Sequence, residues 1–212
     1  PYGMTCEFWT PTLMRRPDRH NEIELNFVPK GGVTYLFKDK RFHIPANRLI
    51  VFWGLVPHQI VSFENSLPYY VCTIPFAQFL EWNLPDVFVD SVLKGEIVTE
   101  TNAHTSAYDA YLMKNWIADI DTPGAKDVIA LEIRARLSRM ALNHEATKPK
   151  THSIHPGEIN PVERIAVYIA QNYQRPIRMN DIGDAVGLHP DYANTLFRKT
   201  FGRTLSEYII EE

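Results

Sequence analysis

Residues 179–197 read Met-Asn-Asp-Ile-Gly-Asp-Ala-Val-Gly-Leu-His-Pro-Asp-Tyr-Ala-Asn-Thr-Leu-Phe, and this stretch decides the fold of the C-terminal part. Apolar residues recur there at helical spacing, with Ile182 and Val186 four residues apart just before Gly187. The same inward-facing pattern resumes on a second helical run after the glycine. Two short helices that meet at one glycine are typical of a helix-turn-helix, so the stretch predicts that unit.

Two glycines fit this geometry. Gly187 lies where the chain turns sharply, which predicts a positive φ that glycine adopts without steric cost. Gly183 lies where a larger side chain would collide with the second helix. That helix is predicted to end at Gly202, and Thr204 is predicted to cap a further helix. Because a helix-turn-helix presents its second helix to the major groove, the spacing suggests DNA binding.

The charge of the C-terminal part supports DNA binding less strongly than the helix-turn-helix spacing of its apolar residues does. Within residues 161–212, six basic residues stand against seven acidic ones. Phosphate contacts supply much of the affinity for DNA, and six cations around one unit provide few of them. Arg198, Lys199 and Arg203 nevertheless cluster near the end of the second helix. An ordinary helical bundle remains the alternative interpretation.

The residues on the outward face of the second helix can be inferred once those on its inward face are assigned. We expect the core side to comprise four residues, Tyr192, Ala193, Leu196 and Phe197. The candidate DNA-contacting residues are then Pro190, Asp191, Asn194, Thr195, Arg198 and Lys199. An asparagine can bind adenine through two hydrogen bonds, an arginine can bind guanine or phosphate, and an aspartate can accept from cytosine. A solvated polar face is the competing interpretation.

The N-terminal part favours strands from about Glu22 to Val98. Residues 23–27 alternate apolar and polar side chains with period two. Other short β-branched and aromatic runs occupy residues 33–37, 48–53, 59–63 and 69–74. Short strands at this spacing predict a barrel or a sandwich, with a short helix at 76–82.

From about Ser106 the periodicity becomes helical. Two apolar stripes flank a break at Pro123-Gly124. The first comprises Tyr108, Tyr111, Leu112, Trp116 and Ile120, and the second comprises Val128, Leu131, Ile133, Leu137, Met140 and Ala141. The two helices could bury one another, cover the strands or pair with a second subunit, and the pattern does not choose among these.

A polar stretch at residues 145–160 is interrupted by proline and glycine, so we interpret it as an interdomain linker. Its two histidines, His152 and His155, lack the further ligands that a metal site needs. Asn160 and Pro161 form a typical helix start. The buried stripe of that helix is predicted to be Ile165, Ala166, Ile169 and Tyr173.

The composition bounds the class of protein. A length of 212 residues allows one large domain or two modest ones, and the net charge of −3 argues against a generally basic nucleic-acid coat. The sequence lacks an apolar run long enough to cross a bilayer, so we expect no membrane partner. Two cysteines, Cys6 and Cys72, suit buried thiols in a reducing cytoplasm better than a disulfide scaffold.

Residues 182–202, followed by Thr-Leu-Ser-Glu-Tyr-Ile at 204–209, resemble the AraC/XylS family of bacterial transcription regulators. Upstream strings extend the resemblance over almost the whole chain; they lie at 23–26, 33–36, 52–53, 57–59 and 75–76. The resemblance implies an α+β fold with an N-terminal cupin-like β-barrel, two flanking helices and a small all-α helix-turn-helix domain. It also implies an effector bound in the barrel, often a sugar, and a helical pair that is often used for dimerisation.

The resemblance also sets the expected domains. We expect an effector-binding barrel at 1–99, a helical pair at 100–145, a linker at 146–160 and a first helix-turn-helix subdomain at 161–212. Family members carry a second such unit, whereas this chain opens at Pro1 rather than Met and stops at Glu212. We therefore expect a truncated fragment of a homodimeric protein that binds double-stranded DNA.

The effector pocket is expected to combine flat aromatic rings with hydrogen-bonding side chains, as sugar recognition requires. Our candidate effector-binding residues are Trp9, Phe37 and Trp53 for stacking, with His20, Glu24, His43 and His58 for polar contacts. The competing interpretation of Trp53 is a core residue.

A metal site is a second possibility for the same region. Asp18, His20, Glu22 and Glu24 share parity, so one strand over 18–24 would place them on one face. Cupin motifs, as the resemblance implies, put metal ligands at Asp18, His20, Glu24 and His58, with Asp18 where a histidine is usual. Two histidines with carboxylates suit a divalent metal. The alternatives are a solvent-facing strand face or a polar sugar pocket.

Two functions follow. The first is a ligand-responsive DNA-binding transcription regulator that responds to a sugar, is not an enzyme and needs no cofactor. In it the effector changes how the arm near Trp9, the helical pair and the DNA unit dock on one another. The second is a metal-dependent cupin enzyme with a helical appendage.

Overall fold

The N-terminal half consists of two antiparallel sheets that face each other. This computed structural model describes residues 3–37, 40–147, 161–172, 176–201 and 204–211. The strands are β1 (Thr5–Trp9), β2 (Ile23–Phe27), β3 (Val33–Phe37), β4 (Lys40–Ile44), β5 (Leu49–Trp53), β6 (His58–Phe63), β7 (Tyr69–Ile74) and β8 (Val98–Thr99). The larger sheet has the order β1-β7-β2-β5-β8, and the smaller one has the order β4-β3-β6. The expected barrel is therefore not closed, although the α+β class is confirmed.

The larger sheet is buried on both faces, because helices cover one side and the smaller sheet covers the other. Ile23, Leu25 and Phe27 of β2 belong to the core on the helical side. Because successive strand residues point to opposite faces, Glu24 points the other way, into the space between the two sheets. A carboxylate thus enters a mostly apolar interior, where it needs hydrogen-bonding partners.

Four helices complete the N-terminal half: α1 (Phe76–Glu81), α2 (Asp86–Leu93), α3 (Ser106–Asp119) and α4 (Ala125–Thr147). The inner sides of α3 and α4 bury Leu112, Trp116, Ile133 and Leu137 against the sheet. Four other members of the predicted apolar stripes are instead exposed, which corrects that prediction; they are Tyr108, Tyr111, Val128 and Leu131. Both helices pack against the sheet on one side only, so the apolar residues on the opposite side are exposed to solvent.

One charged cluster ties α3 and α4 to the sheet. The Arg136 guanidinium donates to both oxygens of Asp109 on α3 and, over 2.7 Å, to Glu100, which follows β8. All three side chains are almost completely buried. A buried arginine is tolerated because its hydrogen bonds to two carboxylates offset the cost of desolvation.

The C-terminal part is a small helical domain with its own core. Its helices are α5 (Pro161–Asn172), α6 (Met179–Val186), α7 (Pro190–Phe201) and α8 (Leu205–Glu211). Ile182, Val186, Ala193 and Phe197 are buried in that core, so the predicted inward face is confirmed for them. Tyr192 is 57% exposed and lies on the outward face, which corrects its predicted place in the core.

Both glycine predictions are confirmed. Gly187 ends α6 with φ +69°. A Cβ at Gly183 would lie 2.7 Å from the carbonyl oxygen of Leu188 and 3.1 Å from Pro190 Cγ. Only a residue without a side chain lets α6 and α7 approach this closely. The predicted roles of Asn160, Tyr173 and Gly202, and the linker histidines, lie outside the described residues.

Within the described residues, each helix is either too short or too polar to cross a lipid bilayer.

Candidate functional site

A cavity of about 100 Å³ lies between the two sheets. Its walls come from alternate residues of neighbouring strands. β1 contributes Thr5, Glu7 and Trp9, β7 contributes Tyr69, Val71 and Thr73, and the remaining lining residues are Met14, Asp18, His20, Glu24, Tyr35, His58 and Ile60. Its surface is mainly apolar, and carboxylate, imidazole and hydroxyl groups point inward among the apolar ones.

His20 is the centre of the polar wall. Its Nδ1 atom lies 3.1 Å from Glu22 Oε2, and its Nε2 atom lies 2.9 Å from Glu24 Oε2. Burial by itself would lower the pKa of His20, but the hydrogen bonds and charges of the two glutamates outweigh it and raise that pKa to about 10. The imidazole is therefore protonated at neutral pH and held between two carboxylates.

The two glutamates respond in the opposite sense. Burial would raise the pKa of each carboxyl, yet the contact with His20 lowers it below the ordinary value. Glu24 also accepts from Asn26 Nδ2 over 2.8 Å, and Glu22 accepts from the backbone N–H of Gly3 over 3.1 Å. Both side chains are thus ionised and fixed in orientation by hydrogen bonds.

His58 completes a cluster of three. Its Nδ1 atom is 2.9 Å from the carbonyl oxygen of Val56, so this nitrogen is the donor and carries the hydrogen. Its Nε2 atom lies 3.6 Å from Glu24 Oε2. One ligand atom each of His20, Glu24 and His58 lies within 4.8 Å of the others. Asp18, a fourth predicted metal ligand, lines the cavity but is not part of this group.

These three residues fit a divalent metal by donor chemistry. Two imidazoles and one carboxylate are a common donor set for iron and similar transition metals. Each imidazole also has its second nitrogen anchored, His20 by Glu22 and His58 by the Val56 carbonyl, which is the usual outer arrangement around metal-bound histidines. Since metal binding requires neutral histidine, His20 would have to lose the proton that it holds here.

Hydroxyl groups form the rest of the polar wall. Tyr35 and Tyr69 share a hydrogen bond of 3.0 Å across the cavity, and Thr5 and Thr73 share one of 2.8 Å. Burial raises the pKa of both tyrosines above the ordinary value, so each keeps its hydroxyl proton. Trp9, which is 45% exposed, presents its ring at the edge of the cavity. Such groups can donate to and accept from the hydroxyls of a ligand.

The structure brings four of the seven predicted effector-binding residues to this cavity, namely Trp9, His20, Glu24 and His58. Trp53 is instead fully buried and stacks on Phe76 of α1, with ring centroids 4.4 Å apart. It pairs in register with Ile23, not with Glu24, so it points to the helical side of the sheet. The competing interpretation, a core residue, holds for Trp53.

The other two predicted residues are also elsewhere. Phe37 is buried against Phe52, with centroids 5.3 Å apart, and belongs to the core between the sheets. His43 lies on β4 with its side chain 52% exposed, 3.9 Å from Glu64. On the outer strand of the smaller sheet, alternate residues face solvent, and His43 is one of these.

The sequence did not lead us to the contribution of β7, or to that of β1 apart from Trp9. Thr5, Glu7 and Trp9 alternate with Cys6 and Phe8, and that period-two pattern was the available signal. On β7, Tyr69, Val71 and Thr73 share the same parity. Both predicted thiols, Cys6 and Cys72, lie directly opposite each other on these strands as free, buried cysteines.

The second candidate surface is the outward face of α7. Asp191, Thr195, Arg198 and Lys199 are exposed there, and Pro190 is half-buried against α6. Asn194 differs from expectation, because its Oδ1 atom accepts from the backbone N–H of Leu205 over 2.9 Å. The side chain is half-buried and caps α8 in place of facing a groove, so its predicted contact with adenine conflicts with this geometry.

Comparison with known proteins shows which proteins this chain is similar to. Residues 169–209 match the bacterial regulatory helix-turn-helix proteins of the AraC family. The chain is 24% identical to the melibiose operon regulatory protein of Escherichia coli strain K12, over 97% of this chain and 70% of that protein. It is 22% identical to the lactose operon transcription activator of Staphylococcus xylosus, over 87% of this chain and 64% of that protein. The predicted resemblance is therefore confirmed.

A solved structure shares the fold. The AraC-like transcriptional activator CuxR superposes with a TM-score of 0.52 and 11% identity, over 90% of this chain and 65% of that chain. The chain thus spans about two thirds of the length of these proteins. Both relatives are named as regulators of operon transcription.

Proposed function

We propose that this chain, whose C-terminal helices form an AraC-type helix-turn-helix domain, belongs to a transcription regulator that binds DNA in response to a small sugar. The relatives are named for the melibiose and lactose operons, both of which concern uncharged disaccharides. The cavity between the sheets is the proposed effector site, and α7 is the proposed DNA-reading helix.

The observation that carries the sugar proposal is the charge and polarity of the cavity. Glu7, Asp18 and Glu24 line it, against one imidazolium, His20. Excess carboxylate disfavours an anionic ligand such as a sugar phosphate or a fatty acid. Hydroxyl and carboxylate groups at fixed positions favour an uncharged ligand with many hydroxyls, and the exposed face of Trp9 can cover the apolar side of a sugar ring.

Binding is tested by thermal unfolding in the presence of melibiose, lactose or glucose 6-phosphate. At 100 times its Kd, a ligand stabilises the folded state by about 2.7 kcal/mol, a rise of about 5–10 °C in Tm for a chain of this size. We expect such a rise with a neutral sugar, none with the phosphate, and none in the Glu24→Gln variant. His43→Gln, outside the cavity, is the matched control and keeps the response. A panel of neutral sugars without any effect would refute the proposal.

The proposal that α7 binds DNA depends on the exposed cations of this helix. Arg198 and Lys199 lie on its last turn, beside exposed Thr195 and Asp191. Phosphate contacts by the two cations would position the helix, and Thr195 and Asp191 would meet base edges. Operator binding is tested on a duplex that the wild-type protein selects from a random library, with and without the sugar that raises Tm.

Dimerisation is proposed through the outer side of α4. Val128, Leu131 and Leu142 are 56–64% exposed there, and Ala135 and Ser138 lie between them. These positions follow the three-four spacing of a coiled coil, and the small residues at the centre let a second copy approach closely. Leu131→Glu is expected to convert a dimer to a monomer in sedimentation experiments, whereas Arg41→Glu, which is exposed on β4 and lies outside α4, should leave the dimer unchanged.

A metal-dependent function is the second candidate, because His20, Glu24 and His58 fit a divalent metal. The metal would supply a Lewis acid at the cavity wall, and His20, Glu24 and His58 would hold it. Metal analysis of protein purified without added metal, beside His58→Ala, tests this. A stoichiometric metal that the variant loses would support the candidate, and metal-free wild-type protein that ignores added Fe²⁺, Mn²⁺ and Zn²⁺ would remove it.

A further inference from the structure

The turn formed by residues 20–22 belongs to the cavity and to the boundary with the helix-turn-helix domain at once. His20 lines the cavity, and its Nδ1 atom pairs with Glu22, which lies outside the lining. Between them, Asn21 donates from its Nδ2 atom to the hydroxyl of Tyr208 on α8. A single three-residue segment therefore contacts both the proposed effector site and the proposed DNA-binding domain.

Tyr208 leads directly to the DNA-reading helix. Its side chain is buried, and its ring meets that of Phe197 edge-on, with centroids 5.0 Å apart. Phe197 of α7 is fully buried and immediately precedes the exposed Arg198 and Lys199. A shift of Tyr208 relative to the N-terminal half therefore changes the position of these two cations.

The turn cannot adjust independently of the cavity wall. Its backbone is bound to Gly54 on both sides, His20 N–H to Gly54 O over 3.0 Å and Gly54 N–H to Glu22 O over 2.9 Å. A Cβ on Gly54 would lie 2.1 Å from His20 Cε1, so the imidazole packs directly on the Gly54 backbone. The Asn21 carbonyl also accepts from the Trp53 indole over 3.3 Å. Movement of the imidazole is thus transmitted to Asn21.

A second contact between the two halves begins at the same place. Trp53 stacks on Phe76 of α1 with an interplanar angle of 16°. Helix α1 packs against α5, and Ala166 of α5 is buried in the same core as Trp53 and Phe76. The domain boundary and the cavity wall consequently share Trp53 and its neighbours, and packed interiors transmit such shifts because they deform little.

We propose that the hydrogen bond from Asn21 to Tyr208 is the latch through which cavity occupancy controls the docking of the helix-turn-helix domain. This proposal rests on the proposed function, since it takes the cavity as the effector site. A ligand whose hydroxyls bind His20 or Glu24 competes with the contact between these two residues. The imidazole then moves on the Gly54 backbone and loosens the turn that presents Asn21. The ligand therefore binds better to the undocked state, and only such a difference in affinity can shift docking.

Because coupling between two binding events is reciprocal, the direction of the change in ligand affinity can be predicted. If the ligand weakens the latch, then removal of the latch must strengthen ligand binding by the same factor. Calorimetry with melibiose on the full chain is expected to give about fivefold or tighter binding for Tyr208→Phe and for Asn21→Ala. The double variant should bind no more tightly than either single one. Tyr208→Phe removes only an oxygen and keeps the ring against Phe197, so it is expected to fold.

The matched control is Tyr108→Phe, because Tyr108 is 51% exposed on α3 and the cavity lining does not include it. It should leave the melibiose affinity unchanged. Unchanged or weaker melibiose binding in both latch variants would overturn the proposal, as would effects that simply multiply in the double variant.

A second measurement needs neither sugar nor DNA. Backbone amide hydrogen exchange in Leu205–Glu211 should accelerate severalfold in Asn21→Ala, although the substitution lies in the other half of the chain. If wild-type protein ignores every neutral sugar, the proposed function fails, and this exchange experiment still tests the latch. Exchange in Leu205–Glu211 identical to wild type would exclude it.

Discussion

The Nε2 atom of His20 and the Oε2 atom of Glu24 lie 2.9 Å apart inside a cavity wall, where both side chains are less than 10% exposed. A buried imidazolium beside a buried carboxylate is stable only while both keep their charges. Removal of one partner from such a pair typically costs about 3–5 kcal/mol, since the other charge is left uncompensated. The pair therefore makes fold stability depend on the protonation of a single residue.

We predict that His20→Gln lowers the free energy of unfolding most in mildly acidic solution. The folded-state pKa of His20 is about 10, against 6.5 for the ordinary side chain, so its stabilising contribution is complete below pH 6.5 and is lost as the pH rises toward 10. The lowered pKa values of Glu22 and Glu24 confer stability above pH 4.5 that is lost in more acidic solution. Urea unfolding of both proteins from pH 5 to 9.5 measures this, and a constant difference across the range would contradict it.

We predict that Arg136→Met destabilises the N-terminal half by about 3–5 kcal/mol, since it leaves Asp109 and Glu100 buried without their cation. Arg139→Met, on the exposed side of the same helix, is the control and should change stability by about 0.5 kcal/mol or less. Equal effects of the two substitutions in urea unfolding would show that the buried cluster contributes nothing specific.

Gly183→Ala is predicted to destabilise the helix-turn-helix domain by about 1–3 kcal/mol, through the clash of the new Cβ with the Leu188 carbonyl. Gly187→Ala meets open space and pays only for its positive φ, about 1 kcal/mol. Asp184→Ala, on the exposed side of α6, serves as the control. The order of the three midpoints in thermal unfolding checks the prediction, and Gly183→Ala at the wild-type midpoint would refute it.

Arg198→Ala and Asn194→Ala are predicted to act in different ways. Arg198→Ala should weaken operator binding and reduce its salt dependence, with the folded domain unchanged. Asn194→Ala should lower the Tm of the domain, because it removes the acceptor of the Leu205 N–H, and should leave the preferred operator sequence unaltered. Selection of operators by each variant from one random library measures the preference. An altered base preference for Asn194→Ala would restore this residue as a reader of bases.

The strands at residues 23–27, 33–37 and 69–74 could be predicted with their bounds, because each is a short alternating or β-branched and aromatic run between turn residues. The alternation in β1 was present but was overlooked, and β4 begins with charged residues that resemble a turn. Whether the sheets close into a barrel depends on pairing between distant strands, which local patterns do not encode.

The residues of the candidate site could be predicted where apolar and polar residues alternate along a strand, because the alternation shows which face each side chain occupies. Glu24 alternates with apolar residues, so its separate face was visible in the sequence. Residues 49–53 are apolar throughout, and nothing in that run indicates which side of the sheet Trp53 faces. Asn194 shows a similar limit, because its capping of α8 depends on how two helices meet.

The bare backbone at Gly54 has a consequence for related proteins. Any larger residue at this position would displace the imidazole of His20 and break its contacts with Glu22 and Glu24. In homologous sequences, a glycine at the equivalent position should therefore accompany a histidine at the equivalent of His20. Homologues that lack both the glycine and the histidine would lack the buried charges of this cavity wall. They would be expected to bind a chemically different effector.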